Sequence, residues 1–351
     1  MITSDIIRVF VPAMITFLVG IGITPFVTHF LYKWKMWKPK AGKIAFDGKP
    51  AEVFNQLHQA RETGTPRFGG IIVWGSVLLC ATFLSVLSFV DPESFGGLTF
   101  ISRSQTWLPF TALVAGALVG FFDDLFEVRG TGGLKLRIRL LIVAIIAVFC
   151  AVWFYQKLGV SSISFPFVGI PLDLGAWFML FFVLTALFMY AGGVIDGIDG
   201  LAGGIFCTMF AAYAGIAFFQ HQFDIAALSA AIAGGLLAFL WFNIPPARFY
   251  LSETGTMGLT LALVVIAFLT DMHGGGKGIM VLPIIALPLV VTVASIILQL
   301  VWKKLFKKKL LRIAPLHHHF EALGWPAYKV TMRYWIVGVV AALIGMTIAL
   351  L

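Results

Sequence analysis

Ten long apolar segments constrain this chain more than any other feature of its sequence. A helix needs about 20 apolar residues to cross the hydrocarbon of a bilayer, and runs of that length recur from end to end. Of the 351 residues, 60% are hydrophobic and only 12% are charged, which excludes a soluble enzyme, a secreted disulfide scaffold, a disordered chain and a nucleic-acid-binding protein. We therefore predict an all-α polytopic integral membrane protein. Its ten transmembrane helices are expected at 6–32, 68–90, 106–122, 138–156, 175–192, 200–219, 224–242, 256–272, 279–302 and 333–351.

The basic residues divide unevenly between the two sides that ten spans define. Of the 25 Lys and Arg residues, 21 lie in or directly beside the alternate loops 33–67, 123–137, 193–199, 243–255 and 303–332. By the positive-inside rule these loops are cytoplasmic. Both termini are then expected on the outer, periplasmic or extracellular, side.

Prolines mark two irregular places. The outer segment 161–174 alternates in polarity and contains Pro166 and Pro171, which predicts a short outer hairpin. The ninth span contains Pro283 and Pro288, which predict a kinked or broken helix. No internal repeat or separate soluble domain is visible, so we predict one transmembrane domain over residues 1–351 with an active site on its inner face.

Acidic residues gather where the spans meet the inner loops. Five of the 16 acids lie there, namely Asp123, Asp124, Asp196, Asp199 and Glu253. Ionisable groups at membrane depth are costly and usually mark a functional site, although any single one could simply cap a helix. If their segment is helical, Asp196 and Asp199 project to one side and suit Mg²⁺ bridging a diphosphate. Adjacent Asp123 and Asp124 cannot point the same way on a helix, so we expect them to have different roles.

Basic residues follow the aspartate pair directly and are candidates for steering a polyanionic substrate. They are Arg129, Lys135, Arg137 and Arg139. The separate run from Lys303 to Lys309 is assigned to anionic lipid headgroups. Either assignment predicts an anionic partner at the membrane surface.

Three consecutive histidines, His317, His318 and His319, lie in the last inner loop. Imidazoles in such a row bind phosphate, transfer protons or ligate metal. Consecutive residues rarely all ligate one ion. We therefore favour phosphate contact and loop structure for at least two of the three.

These residues lie in motifs that resemble those of one enzyme family. The motifs are GTPRFGG at 64–70, GFFDDLFE at 120–127, IDGIDGLAGG at 195–204, FLWFNIPPARFYLSETGT at 239–256 and APLHHHFEALGWPAYKVTMRYW at 314–335. Nearly the whole chain resembles the phospho-N-acetylmuramoyl-pentapeptide transferases, within the polyprenyl-phosphate N-acetylhexosamine-1-phosphate transferase superfamily. The last motif separates this branch from sister transferases that use UDP-GlcNAc.

The resemblance implies a Mg²⁺-dependent phosphoryl transfer in peptidoglycan synthesis. Undecaprenyl phosphate would attack UDP-MurNAc-pentapeptide to give lipid I and UMP, at the cytoplasmic face of the bacterial inner membrane. A homodimer surrounded by membrane lipids is the expected assembly. The alternatives are a relative with another donor such as UDP-GlcNAc, a catalytically weak lipid-phosphate-binding homologue, and a transporter.

The resemblance also implies roles for individual residues. Asp123, Asp124, Glu253 and His317 would be catalytic, with Glu253 and Asp123 also in metal-ligand positions. Substrate contacts would come from Arg67, Lys135, Asp196, Asp199, Asn243, Tyr250, His318 and His319.

The chain departs from the family's pattern at a few of these positions. Glu253 takes the place of an Asp and Ser252 that of a Gly. Tyr190 and Gly193 take the place of two Asn. Arg61 or Arg67 would replace a lysine that reaches the phosphates.

Overall fold

The computed structural model describes residues 2–39, 42, 55, 63–102, 105–165, 171–272 and 277–351. The main helices are α1 (Ile2–Lys33), α2 (Gly70–Val90), α3 (Trp107–Val128), α4 (Leu136–Val152), α5 (Trp177–Ala191), α6 (Leu201–Phe219), α7 (Phe223–Asn243), α8 (Ser252–Met272), α9 (Gly278–Ile285), α10 (Leu287–Phe306), α11 (Leu316–Ala322) and α12 (Ala327–Leu350). Among the described residues, ten helices are long and apolar enough to cross a membrane, so the prediction of ten is confirmed.

The predicted hairpin falls partly within the described residues. Two short strands, β1 (Ser162–Ile163) and β2 (Leu172–Asp173), pair antiparallel with Ser162 opposite Asp173. The turn that would join them, 166–170, lies outside the described residues. The same holds for Arg61 and for most of the predicted inner loop 33–67.

The ninth span is broken, as its prolines predict. Helix α9 ends at Ile285 and α10 begins at Leu287, with the non-helical Ala286 between them. Pro288 lies in the first turn of α10, where the missing backbone N–H would have no intrahelical partner. The helix is therefore interrupted here without losing a helical hydrogen bond at Pro288.

Two helices extend beyond their predicted limits and carry the acidic residues with them. Helix α3 continues to Val128 instead of ending at 122, because no Gly or Pro lies between residue 122 and Gly130. Helix α8 begins at Ser252 rather than at 256. Asp123 consequently lies within α3 and Glu253 within the first turn of α8, so neither is in a loop.

Helix α8 occupies the centre of the bundle. In its apolar stretch 94% of the residues are buried, compared with 22% in α1 and in α10. Helices in a bilayer pack closely where small residues let their backbones approach. A methyl group built on Gly116 of α3 would lie 2.8 Å from the Cα of Gly258 in α8, and one built on Gly120 would meet the backbone of Glu253. This approach brings the end of α3 against the first turn of α8.

Candidate active site

The end of α3 and the start of α8 form one wall of a cavity of about 300 Å³. The loop 129–135, the start of α4 and the segment 193–197 complete it. Of the predicted site residues, five line this cavity, namely Arg67, Asp123, Asp196, Tyr250 and Glu253. Lys38, Glu127 and Arg139 line it as well. Charged groups of both signs therefore converge on one space.

A glycine turn orients Asp123. Gly132 and Gly133 both adopt positive φ angles, of 84° and 72°, a conformation that favours glycine. The turn brings the backbone N–H of Leu134 to within 2.5 Å of Asp123 Oδ1. The other oxygen of Asp123 is left to face the cavity.

Arg139 bridges two carboxylates that belong to different helices. Its Nη1 atom lies 3.3 Å from Asp123 Oδ2 and 2.5 Å from Glu253 Oε1. The second oxygen of Glu253, Oε2, accepts a hydrogen bond of 3.4 Å from the Tyr190 hydroxyl. Both oxygens of Glu253 therefore have a donor, and Asp123 and Glu253 converge on a single cationic nitrogen.

Asp124 faces away from the cavity and is fully buried. Its Oδ1 accepts from Arg67 Nε at 2.9 Å, and its Oδ2 accepts from the backbone N and the Oγ1 of Thr254 at 2.8 and 2.7 Å. Thr254 lies in the first turn of α8, whose backbone N–H groups have no intrahelical acceptor. Asp124 therefore caps α8 from a neighbouring helix. Adjacent aspartates on one helix do point in different directions.

Arg67 connects Asp124 to the cavity. Its guanidinium forms ion pairs of 2.9 Å with Asp124 and with Glu127, and Glu127 also binds Lys38 at 2.8 Å. Burial disfavours the charged guanidinium, but the two ion pairs outweigh it and raise the pKa of Arg67 above its ordinary value. Arg67 is therefore a permanent, fixed cation in the wall of the site.

The segment containing Asp196 and Asp199 is a turn and not a helix, so their carboxylates do not share a face. The preceding helical turn ends at Ile195, Asp196 has a non-helical ψ of 67°, and Gly200 adopts a φ of 75° just before α6 begins. Asp196 Oδ2 accepts from the backbone N of Ser252 at 2.7 Å, whereas Asp199 Oδ2 accepts from Ala247 N at 3.1 Å. Asp196 lines the cavity, while Asp199 holds the 243–251 segment.

Two of the three histidines reach the same turn. A methyl group built on Gly197 would lie 2.7 Å from His318 Nε2 and 2.8 Å from His317 Nε2. The opposite nitrogen of His318, Nδ1, bonds Glu321 at 2.7 Å, which fixes the ring. Both imidazoles are buried, so only a residue without a side chain fits between them and the cavity.

His319 points elsewhere. Its Nδ1 accepts a hydrogen bond of 3.2 Å from the backbone N of Arg312. Burial and the charge of Arg312 lower the pKa of His319, which favours the neutral ring that this bond requires. The structure thus gives His319 a role in loop structure, as expected for part of the row.

Three further predicted residues lie at different distances from the cavity. Asn243 is buried and braces two backbone segments, accepting from Gly200 N at 3.0 Å and donating to Phe249 O at 2.8 Å. Tyr250 is half-buried in the cavity wall. Lys135 is exposed at the start of α4, beside the cavity rather than in it.

Known proteins resemble this chain in sequence over nearly its whole length. Residues 106–271 match the family described as Glycosyl transferase family 4. A phospho-N-acetylmuramoyl-pentapeptide-transferase of Listeria welshimeri is 32% identical over 351 residues, which cover 98% of each chain. Proteins of the same name from Bacillus pumilus and Bacillus subtilis are each 33% identical and are covered, like this chain, to 95%. The chain belongs to the phospho-N-acetylmuramoyl-pentapeptide-transferase family.

Glycosyl-1-phosphate transferases commonly use a metal ion, and the sequence predicts Asp123 and Glu253 as its ligands. Within the ranges that the structure describes, no group of three or more His, Cys, Asp or Glu residues is arranged to hold one. Asp123 and Glu253, however, already share one cationic nitrogen. Proteins bind Mg²⁺ through one or two carboxylates together with substrate phosphates and water. This pair therefore fits the ion.

Sequence reasoning missed several residues that build the transferase cavity. Gly116 and Gly120 form a GxxxG pattern, a known signal of close helix packing, and Gly132 with Gly133 signals a turn. Those signals were present. The contact of Tyr190 with Glu253 had no signal, because it joins residues 63 positions apart.

Proposed function

We propose that this membrane protein transfers phospho-MurNAc-pentapeptide from UDP-MurNAc-pentapeptide to undecaprenyl phosphate. A phosphate oxygen of the lipid attacks the β-phosphorus of the donor and forms a new P–O bond. The bond between the β-phosphorus and the bridging oxygen breaks, this oxygen leaves on the α-phosphate as part of UMP, and lipid I forms. The observation that carries this proposal is the full-length similarity to transferases of that name.

The cavity supplies fixed positive charge for such a reaction. Lys38, Arg67 and Arg139 line it, and acidic partners hold their side chains in place. Cations that are oriented before the reaction stabilise the charge that develops on a transferring phosphoryl group. Asp123 and Glu253 would hold Mg²⁺, which when bound neutralises diphosphate charge.

Other residues fit binding roles around this centre. Tyr250 offers a half-buried aromatic face for the nucleotide base, and its position is fixed by hydrogen bonds from its own N to Pro66 O and from Gly69 N to its O. The imidazoles of His317 and His318 reach the turn at Gly197, where they would donate to phosphate. Lys135 attracts the polyanionic donor at the mouth of the cavity.

The same proposal gives the protein its place in the cell. We infer that the cavity faces the cytoplasm, because it lies at the ends of helices where the basic loops also lie and the positive-inside rule favours that orientation. The bacterial relatives favour the inner membrane. Undecaprenyl phosphate then enters from the bilayer and the nucleotide donor enters from the cytoplasm. The homodimer stays a prediction.

The test is UMP release by the purified full-length protein in detergent, with undecaprenyl phosphate and Mg²⁺. UDP-MurNAc-pentapeptide and UDP-GlcNAc are compared as donors. We expect turnover with the muramyl donor alone, lost on chelation and in Asp123→Asn. Asp91→Asn is the matched control, because Asp91 caps a one-turn helix after the far end of α2 and does not line the cavity. Turnover with UDP-GlcNAc, or with neither donor, would contradict the proposal.

A further inference from the structure

One guanidinium occupies the space between the two proposed metal ligands. Arg139 Nη1 lies 2.5 Å from Glu253 Oε1 and 3.3 Å from Asp123 Oδ2. Ligand oxygens lie about 2.0–2.1 Å from Mg²⁺, so an ion bound by these two oxygens needs the volume that Nη1 fills. Like charges in that volume also repel each other. The ion and the guanidinium therefore exclude each other at these carboxylates.

The side chain of Arg139 has capacity for a second partner. Its buried Nε has no hydrogen-bond acceptor among the residues that the structure describes. About a quarter of the side chain is exposed, on the cavity side. A guanidinium carries five N–H donors in a planar fork that matches phosphate oxygens. Arg67 differs, because its Nε is already bonded to Asp124.

We propose that Arg139 is an exchangeable counter-ion in the site. Without a metal ion the guanidinium of Arg139 neutralises Asp123 and Glu253. When a divalent cation binds to these carboxylates, the guanidinium turns to the diphosphate of the bound nucleotide. This inference rests on the proposed function for the identity of the metal ligands and of the diphosphate. It makes the divalent cation and the nucleotide bind cooperatively, because each favours the same position of the arginine.

Binding of Mn²⁺ without substrate tests the first half of the exchange. The full-length protein in detergent is titrated with Mn²⁺, and the free ion is measured by electron paramagnetic resonance. We expect Arg139→Gln to lower the Kd for Mn²⁺ by about tenfold or more, because the competing cation is gone. Arg137→Gln removes the same charge from an exposed position on the same helix, and its Kd should stay within about twofold of the wild type. An Arg139→Gln Kd that is unchanged or higher would overturn the proposal.

Coupling between Mn²⁺ and UDP tests the second half. Saturating UDP lowers the Mn²⁺ Kd in any protein where the ion bridges phosphate, so the comparison is between variants. We expect this factor to be about tenfold smaller in Arg139→Gln than in the wild type, and intermediate in Arg139→Lys, which keeps the charge without the fork. Equal coupling in all three proteins would refute the exchange. If Arg139→Gln does not fold, as its thermal midpoint reports, the uncharged Arg139→Met replaces it in both comparisons, because it also removes the competing cation.

These readouts do not depend on turnover, so the two proposals fail separately. Absence of UMP release with the expected Mn²⁺ behaviour would overturn the proposed reaction and leave the exchange standing. Normal turnover with an unchanged Mn²⁺ Kd in Arg139→Gln would overturn the exchange alone.

Discussion

Asp124→Asn is expected to destabilise the protein, and the structure gives the size of the effect. The carboxylate is fully buried and accepts three hydrogen bonds, one from Arg67 and two from Thr254. Asparagine keeps the shape but replaces one acceptor oxygen by an NH₂ group, which is only a donor. In either orientation of the amide, a donor then faces a donor.

Removing one partner of a buried ion pair costs about 3–5 kcal/mol, because the remaining charge is left without compensation. Arg67 keeps its second ion pair, to Glu127. We therefore expect a loss near the lower end of that range, about 3 kcal/mol. Turnover should fall too, since the first turn of α8 carries Glu253 and loses its cap.

Asp123→Asn is the matched comparison, since it makes the same chemical change one residue away. Asp123 accepts from Leu134 N and from Arg139, and Arg139 is exposed enough to turn into the cavity. The Asp123→Asn variant should lose about 1 kcal/mol of stability, but it should lose more turnover than the Asp124→Asn variant. Unfolding by SDS titration in mixed micelles measures stability, and UMP release measures turnover. If Asp124→Asn is as stable as the wild type, or more stable than Asp123→Asn, the capping role assigned to Asp124 is wrong.

Three other substitutions test the close contacts of two glycines and the backbone strain at Ser252, all around the cavity. Gly120→Ala should lower the free energy of unfolding by about 1–3 kcal/mol, because the added methyl group overpacks the contact. It should also reduce turnover about 100-fold, because α3 shifts against α8. In the control Gly22→Ala the methyl group meets nothing within 4 Å, so neither quantity should change. Gly197→Ala should weaken UDP binding about tenfold, or ~1.4 kcal/mol, in calorimetric titration, because its methyl group displaces the two buried imidazoles. Unchanged affinity would show that His317 and His318 do not contribute to UDP binding. Ser252→Gly should raise the free energy of unfolding by about 1 kcal/mol. The serine adopts a φ of 56°, which only glycine takes without strain. A loss of stability in the SDS titration would contradict this reasoning.

The membrane architecture could be predicted from the sequence because lipid imposes it directly. Apolar length gives the ten spans, and two prolines locate the break before α10. The ends of helices at the aqueous rim are less constrained. There α3 continues six residues past its apolar run, since its charged residues find partners on other elements.

The candidate site could be predicted by residue type but not by contact. Helix periodicity shows that Asp123 and Asp124 diverge, yet it does not show which of them faces the cavity. That choice depends on the register of α3 against α8, which Gly116 and Gly120 set through backbone contact. Likewise, the expectation that Asp196 and Asp199 share a face assumed a helix, whereas the non-helical ψ of Asp196 and the positive φ of Gly200 make this segment a turn.

Three departures from the family's pattern, Glu253, Tyr190 and Ser252, lie close together in the structure. Glu253 is a methylene longer than the expected Asp, and its two oxygens are held separately by Arg139 and Tyr190. Tyr190 is itself a departure, so the longer acid and the tyrosine that binds it belong together. The backbone next to Glu253 has the conformation that suits glycine: Ser252 is left-handed, and its N–H donates to Asp196. The chain thus combines a turn that suits glycine with a longer carboxylate, the proposed metal ligand, and with a tyrosine that holds this carboxylate in place.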